Sequence, residues 1–357
     1  METREKIKAA LVCHCKRYPK LQIRDMFKYI YQSSFGCEHM ISSPEAVEDY
    51  IRKETEQYVS VAEEVIEPLD GDYCRVHLDV IREGLSASTL AKLFYLSAGH
   101  VEDGRERLSE KLSVLSEAVE EGVIPFEKET VIEALKEWRE ADYPACHHSE
   151  VFRAAYAPAY RLIKKEYAVF LPLFMRIDRM LREGQVTLAM EGGSASGKTT
   201  LSNLLAQVYD CTVFHMDDFF LRPEQRTKER FAEPGGNVDR ERFLEEVLLP
   251  LHRQESVAYR RFDCSTFTLA EPVLMKPSKL TVIEGAYSMH PELAKYYNLS
   301  VFLELSPDLQ RKRIEKRNTP ELAKRFFEEW IPMEQRYFTE FKVKERCDMI
   351  CKTEAVM

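Results

Sequence analysis

The stretch EGGSASGKTT, residues 191 to 200, joins a backbone with almost no side chains to block it to a lysine and two hydroxyls. Gly192, Gly197, Lys198 and Thr199 satisfy the pattern G-x-x-x-x-G-K-[ST]. Small residues let successive backbone N–H groups point into one hollow, and a helix opening at the lysine adds the partial positive charge of its N-terminus. Such a hollow suits the phosphates of ATP. The expected nucleotide-binding set is Gly192, Gly193, Ser194, Ala195, Ser196, Gly197, Lys198, Thr199 and Thr200. Lys198 would reach the terminal phosphates and the Thr199 hydroxyl would coordinate Mg²⁺. A chance glycine-rich turn is the plain alternative. QVTLAM before the stretch has the pattern of a buried strand, however, and LSNLLAQV after it has helical spacing, which is the context the motif requires.

Carboxylates follow in the right places. CTVFHMDDFFLRP puts Asp217 and Asp218 just beyond a second strand, and LTVIEGAY puts Glu284 at the end of a third. Open parallel sheets build their sites at the carboxyl ends of strands, so Lys198, Asp217 and Glu284 are expected on one edge. A carboxylate there can accept the proton of an attacking hydroxyl or help hold Mg²⁺, and loose phosphoryl transfer needs only a positioned weak base. Taken alone, an Asp pair is as well explained by a cap or a turn. Further on, RKRIEKR holds five basic residues in seven. Arg313 and Arg317 are four apart, hence on one helix face, and would close over a transferred phosphoryl group as a lid. Without a phosphate site nearby, such a run is a solvated helix face.

The elements that must position these groups fall into two grammars. Residues 1–166 carry apolar residues at spacings of three and four through TREKIKAALVCHCKRY, LQIRDMFKYIYQ, SPEAVEDYIRKETEQ, DGRERLSEKLSVLSEAVEEG, EKETVIEALKEW and SEVFRAAYAPAYRLIKK, and predict an all-helical domain. Ser43 before Pro44 is a helix start, a cap followed by a residue that needs no donor. Residues 167–184 predict a connecting helix. From 185 to 357 short β-rich runs, VTLAM, CTVFHM, KLTVIEG, LSVFLEL and CDMIC, alternate with helices. The fold class expected is therefore α plus α/β, a helical domain followed by a mostly parallel sheet flanked by helices.

Composition bounds the partners. The 357 residues, 45% of them hydrophobic, can fill two cores. A formal charge of −9 disfavours nucleic acid and anionic membranes, so a small molecule is the expected partner, with homo-oligomerisation left open. No signal-like or membrane-spanning run occurs, and nine cysteines without export signals suggest reduced thiols and a cytoplasmic location.

In this order the pieces from about Val186 to Ile350 resemble the uridine kinase-like family of P-loop kinases, which includes uridine/cytidine, nicotinamide riboside and bacterial pantothenate kinases and phosphoribulokinases. GGSASGKTT is similar to its phosphate loop, DDFF at Asp217 to Phe220 to its D-x-F-[FY] element, and IEG at Glu284 to its acidic-Gly pair. NVDRERF with Asp239 is similar to the family's segment before the helix that follows the substrate loop. The resemblance implies Asp217 as base, Thr199, Asp217 and Glu284 around Mg²⁺, and Lys198, Arg313 and Arg317 on the transferred phosphoryl group. It also implies an acceptor beside Asp217, Phe220, Phe262 and Asp263. Uridine kinases favour Tyr-Asp-Phe where this chain has Phe262, Asp263 and Cys264; the acid is kept and the stacking frame altered. Phe219, Tyr259 and Phe262 offer flat walls for a nucleoside-like ring. Two functions follow: an ATP-dependent kinase acting on a small-molecule hydroxyl, or an ATP-binding sensor in which the helical half transmits the nucleotide state.

The first half carries no such match. Cys37, His39, Cys146, His147, His148, Arg153, Tyr156, Tyr160 and Arg161 are dense for helix packing alone, and leave three readings open: a zinc site, a small-molecule pocket or structural packing.

Overall fold

Of the five short β-rich runs in the second half, the three in VTLAM, LTVIE and LSVFLE are buried almost throughout, the pattern of strands covered on both faces. In the computed structural model all five belong to one sheet: β4 (Val186–Gly192), β5 (Cys211–His215), β8 (Leu280–Glu284), β9 (Leu299–Glu304) and β10 (Met349–Lys352). The model describes residues 2–37, 43–57 and 64–354. These form two compact units, Met1–Leu171 and Pro172–Met357. The class is the α/β arrangement expected, with helices against an all-parallel five-stranded sheet in the second unit.

Strand order is β10-β9-β4-β8-β5. The central strand β4 has β8 on one side and β9 on the other, so the order reverses there, and a site belongs at its carboxyl end. Register aligns the ends: Met190 and His215 both pair with Glu284, the last residue of β8. Gly285 continues the ladder by donating its amide to Met190 O at 3.1 Å. It stands at φ +143°, and a Cβ there would lie 2.6 Å from Met216 Cβ. No side chain fits where β8 passes under the segment that carries Asp217.

A two-stranded antiparallel ribbon, β6 (Val257–Asp263) with β7 (Thr268–Met275), lies outside the main sheet. Val257 and Tyr259 face inward until a bulge between Arg260 and Phe262 shifts the register. The alternation is thereby rephased, turning Phe262 inward and Asp263 out to solvent. Phe219 packs edge-on to Phe243 at 4.9 Å and stacked with Tyr259 at 5.6 Å, so Phe219 and Tyr259 belong to the core of this unit.

In the first unit, five of the six helical runs are helices, including Pro44–Gln57, whose Ser43 hydroxyl accepts from the Ala46 amide at 3.2 Å. The sixth run corrects the all-helical expectation. Its helix stops at Tyr156, Ala157 turns left-handed at φ 39°, and Pro158 cannot continue the ladder. The chain returns as β3 (Tyr160–Lys164), which pairs with β2 (Tyr73–His77), itself paired with β1 (Ile66–Pro68), all antiparallel. Every residue of β2 is buried, so neither alternation nor helical spacing marks it. Among the described residues no helix is long and apolar enough to cross a membrane.

The close approach at Gly285 makes a stability prediction. Gly285→Ala should cost about 2 kcal/mol or more in urea unfolding, from the forced left-handed φ and the clash with Met216. An unchanged midpoint would show that the β8–Met216 packing yields freely.

Candidate active site

The loop after β4 is built from unusual backbone. Gly192 stands at φ +149°, and a Cβ on it would meet Leu303 O at 2.7 Å. Ala195 at φ 62° and Gly197 at φ 97° are left-handed, the conformation that turns successive amides toward one hollow. Ala195 adopts it without glycine's freedom, a local strain that its surroundings must hold. The helix Lys198–Val208 follows at once.

Three groups from elsewhere in this unit grip the loop. Gln310 Nε2 donates to Ser194 O at 2.8 Å, and Arg313 bridges Ala195 O (3.1 Å) and Thr353 O (3.0 Å). Glu334 accepts both the Ser194 amide (2.9 Å) and the Ser194 hydroxyl (2.7 Å). Its burial raises the carboxyl pKa, opposed by Lys198 and the Ser194 bonds. Lys198 itself bends back, donating to Gly192 O (2.8 Å) and Gly193 O (3.0 Å). Beneath the loop Glu191 is fully buried. It accepts from the amides of Gly192 (2.9 Å) and Met289 (3.1 Å) and from the hydroxyls of Tyr337 (3.0 Å) and Ser288 (3.4 Å). Burial nonetheless pushes its pKa up to about 7, against the lowering pull of those donors and Lys198.

The carboxylates divide by partner. Glu284 accepts from the Thr199 hydroxyl at 3.4 Å and lies 2.6 Å from His215 Nδ1, whose pKa this contact raises. Asp218 is engaged by the Tyr259 hydroxyl (3.2 Å) and by Arg261 (3.4 Å). Asp217 accepts no hydrogen bond among the described residues and is open to solvent. Desolvation by the surrounding wall raises its pKa, against Lys198 and with help from Glu284. Thr199, Glu284 and Asp217 are hard-oxygen donors of the kind Mg²⁺ takes. Among the described residues no three His, Cys, Asp or Glu side chains form a metal cage.

Other expected residues sort differently. Arg317 is exposed, its guanidinium 5.4 Å over the Phe326 ring, whereas Arg313 reaches the loop. Thr200 is exposed on the first turn of the following helix, and the Ser196 hydroxyl is buried without a partner. Phe220 is half-buried and bridges to Val238, and Asp239 caps the helix Arg240–Phe243. Phe262 is buried and meets Phe267 edge-on at 6.1 Å. Asp263 gives its carboxylate to the hairpin turn, accepting from the Ser265 amide (2.7 Å) and hydroxyl (2.6 Å). The bulge turns it outward, where its carboxylate shapes the turn. At that turn burial raises the Cys264 thiol pKa, against the lowering pull of Arg226.

Beside the loop a cavity of about 690 Å³ opens between Gly193, Ser196, Leu303, Gln310, Phe338 and Lys344. Glu191, Glu334, Gln310 and His215 are site residues that sequence reasoning missed. Glu191 stood in plain view, an acid inside an apolar strand one residue before the motif. Glu334 and Gln310 lie more than a hundred residues away, with no spacing to mark them.

In the first unit the expected cluster scatters. Cys37 is buried against Leu162 O, His147 and Arg153 are exposed, and Cys146 and Tyr156 are half-buried. His148, Tyr160 and Arg161 come together, and His39 lies outside the described residues.

No family model and no curated protein matches the chain. Among solved structures, a possible uridine kinase from Bacillus stearothermophilus is 23% identical, covering 50% of this chain and 98% of its own, with a TM-score of 0.38. A candidate fructose transport system kinase from Silicibacter sp. TM1040 is 23% identical over 47% of this chain and 89% of its own, TM-score 0.38. Shikimate kinase from Bacteroides thetaiotaomicron is 17% identical over 46% and 85%, TM-score 0.26. The likeness to uridine kinase-like and other P-loop kinase structures thus spans about half of the chain.

The buried acid beneath the loop can be tested directly. Glu191→Gln should lower unfolding stability by about 2 kcal/mol, because one face of an amide would present N–H to groups that are themselves donors. Stability equal to the parent at pH 7 would mean that a neutral side chain serves as well there.

Proposed function

We propose that the second unit is an ATP-dependent phosphotransferase that moves the γ-phosphoryl group to a hydroxyl of a small, nucleoside-like molecule. The observation that carries this reading is Asp217, a carboxylate without a hydrogen-bond or ion-pair partner among the described residues, near Lys198 and Glu284 at the sheet edge that also holds Thr199. Every other acid of the site is already engaged: Glu191 and Glu334 by the loop's own surroundings, Glu284 by His215, Asp218 by Tyr259. An unengaged base beside a lysine is what an incoming hydroxyl needs, and what a purely nucleotide-sensing domain does not.

In this reading the amides from Gly193 to Thr200 and the Lys198 ammonium receive the phosphates, and the 690 Å³ cavity takes the nucleoside end of ATP. Thr199 and Glu284, with Asp217 beside them, would hold Mg²⁺, which when bound neutralises phosphate charge. Asp217 orients the acceptor hydroxyl. As its oxygen bonds to the γ-phosphorus, the bond to the β-phosphate oxygen breaks and the hydroxyl proton passes to the Asp217 carboxylate. Lys198 leaves the Gly192 and Gly193 carbonyls to follow the charge that builds on the γ-oxygens. Arg313 keeps the loop's carbonyls turned away from the phosphates, while Arg317 would approach only as a lid. Phe220 and the hairpin tip at Phe262 and Asp263 would border the acceptor.

Replacing the two neighbouring acids in turn tests the assignment. With Mg²⁺, ATP and uridine or nicotinamide riboside, Asp217→Asn should lower kcat by about a hundredfold or more while ATP affinity stays near that of the parent. Asp218→Asn should lower kcat by less than about tenfold, since it shapes the wall through Tyr259 and Arg261. The reverse order would move the base to Asp218.

A further inference from the structure

The first unit has a cavity of its own, about 430 Å³, bounded by the helices Ile23–Phe35, Pro44–Gln57 and Ala87–Ser97, the strand β3 and the segments that hold His148 and Pro158. One wall is apolar, from Val47, Phe94 and Leu162. Its polar lining from Gln32, His148 and Tyr160 belongs to a hydrogen-bonded chain. Asp25 is buried and held by the Gln22 amide (2.9 Å), the Ser149 amide (2.8 Å) and the Ser149 hydroxyl (2.7 Å). Its Oδ1 lies 3.1 Å from His148 Nδ1, and His148 Nε2 lies 2.7 Å from the Tyr160 hydroxyl. Burial lowers the His148 pKa to about 4, so the ring is neutral near pH 7. It then carries its proton on Nδ1, facing Asp25, and accepts the Tyr160 proton at Nε2. Gln32 completes the wall. Arg75 holds its Oε1 through two nitrogens (2.8 and 3.1 Å), which turns Nε2 to the Tyr160 oxygen at 3.1 Å. Each polar group of this wall has its position fixed by the one behind it.

Lys28 lacks the carboxylate partner that three other shielded cations of the unit have. Arg75 pairs with Glu67 at 3.1 Å, Lys111 with Asp70 at 3.1 Å and Arg161 with Glu54 at 2.7 Å. Lys28 is half-buried at the same cavity, and its ammonium donates to a single neutral acceptor, Cys146 O, at 2.9 Å. No carboxylate among the described residues forms an ion pair with it. Desolvation, with Arg75 adding to it and Cys146 and Asp25 opposing it only in part, pulls its pKa down to about 8, the direction expected for an ammonium without a paired carboxylate. Withdrawing an ammonium from water without a compensating charge is unfavourable, and a ligand's anion would supply that charge.

We propose that this cavity binds a small organic anion, an apolar body bearing one carboxylate or phosphate, with Lys28 as the counterion. The apolar wall takes the body, and the fixed Gln32–Tyr160–His148 face sets its orientation. The site lies wholly within residues of the first unit and does not depend on the function of the second.

The test uses the full chain and three probes of one shape: benzoate, phenyl phosphate and the neutral benzamide, titrated by calorimetry. At least one anion should bind saturably with Kd of about 1 mM or tighter and benzamide at least about tenfold more weakly. Which anion binds better separates a carboxylate ligand from a phosphate. Lys28→Met should weaken the anion by about tenfold or more and Lys28→Arg should restore part of it. Without ligand, Lys28→Met should melt at or above the parent temperature, since it removes an uncompensated charge. Absence of saturation by both anions, equal binding of benzamide, or unaltered anion binding by Lys28→Met would each overturn the proposal. So would a clear fall in the melting temperature of Lys28→Met, which would make the ammonium structural.

Discussion

A loop that is to offer its amides to a ligand must be held in place by everything except those amides. The chain between β4 and the helix at Lys198 meets this constraint through its carbonyls and its underside. Gln310 and Arg313 take the carbonyls of Ser194 and Ala195, and Lys198 takes those of Gly192 and Gly193. Glu191 anchors the Gly192 amide from below and ties the loop to Met289 and Tyr337. The strained backbone at Ala195 persists because these contacts overdetermine it. Two amides are exceptions: Ser196 donates to Gly193 O at 3.2 Å, and Ser194 donates to Glu334, an anion standing where a phosphate oxygen would compete. Binding a nucleotide therefore exchanges internal partners for external ones at Ser194 and at Lys198, with little need to build new backbone geometry.

The same economy explains the carboxylates. Register brings the ends of β4, β5 and β8 level, so Glu284 and His215 are neighbours before any ligand arrives. Gly285 then lets the backbone pass tightly against Met216, one residue before Asp217. Rigid strand ends hold Thr199, Glu284 and Asp217 on one edge. The hairpin β6–β7 contributes by its bulge, which turns Phe262 inward and leaves Asp263 to close the turn.

Much of this was legible in sequence because it is local. A phosphate loop is nine consecutive residues, and a buried strand is a run of apolar ones, so the five sheet strands and the motif could be located without a structure. What escaped was set by distance or by burial on all sides. Glu334 and Gln310 meet the loop across more than a hundred residues. β2 is buried throughout, and β3 hides behind a helix that ends at Ala157 and Pro158, so neither carried a periodic signal. The bulge between Arg260 and Phe262, which turns Phe262 inward and Asp263 outward, has no mark in the sequence. The density of His, Tyr and Arg in the first half was visible, but the chain from Asp25 through His148 to Tyr160 joins residues 135 positions apart.

On the proposed reading, phosphoryl groups leave ATP for an organic hydroxyl at the β4–β8 edge. ³¹P NMR of the protein with Mg²⁺, ATP and a mixture of nucleosides tests it most directly, because it distinguishes a new phosphate ester from inorganic phosphate. The account predicts a phosphomonoester resonance growing in step with ADP, absent without acceptor and lost in Lys198→Ala. ATP that stays intact with every acceptor, or yields ADP and inorganic phosphate alone, would contradict it.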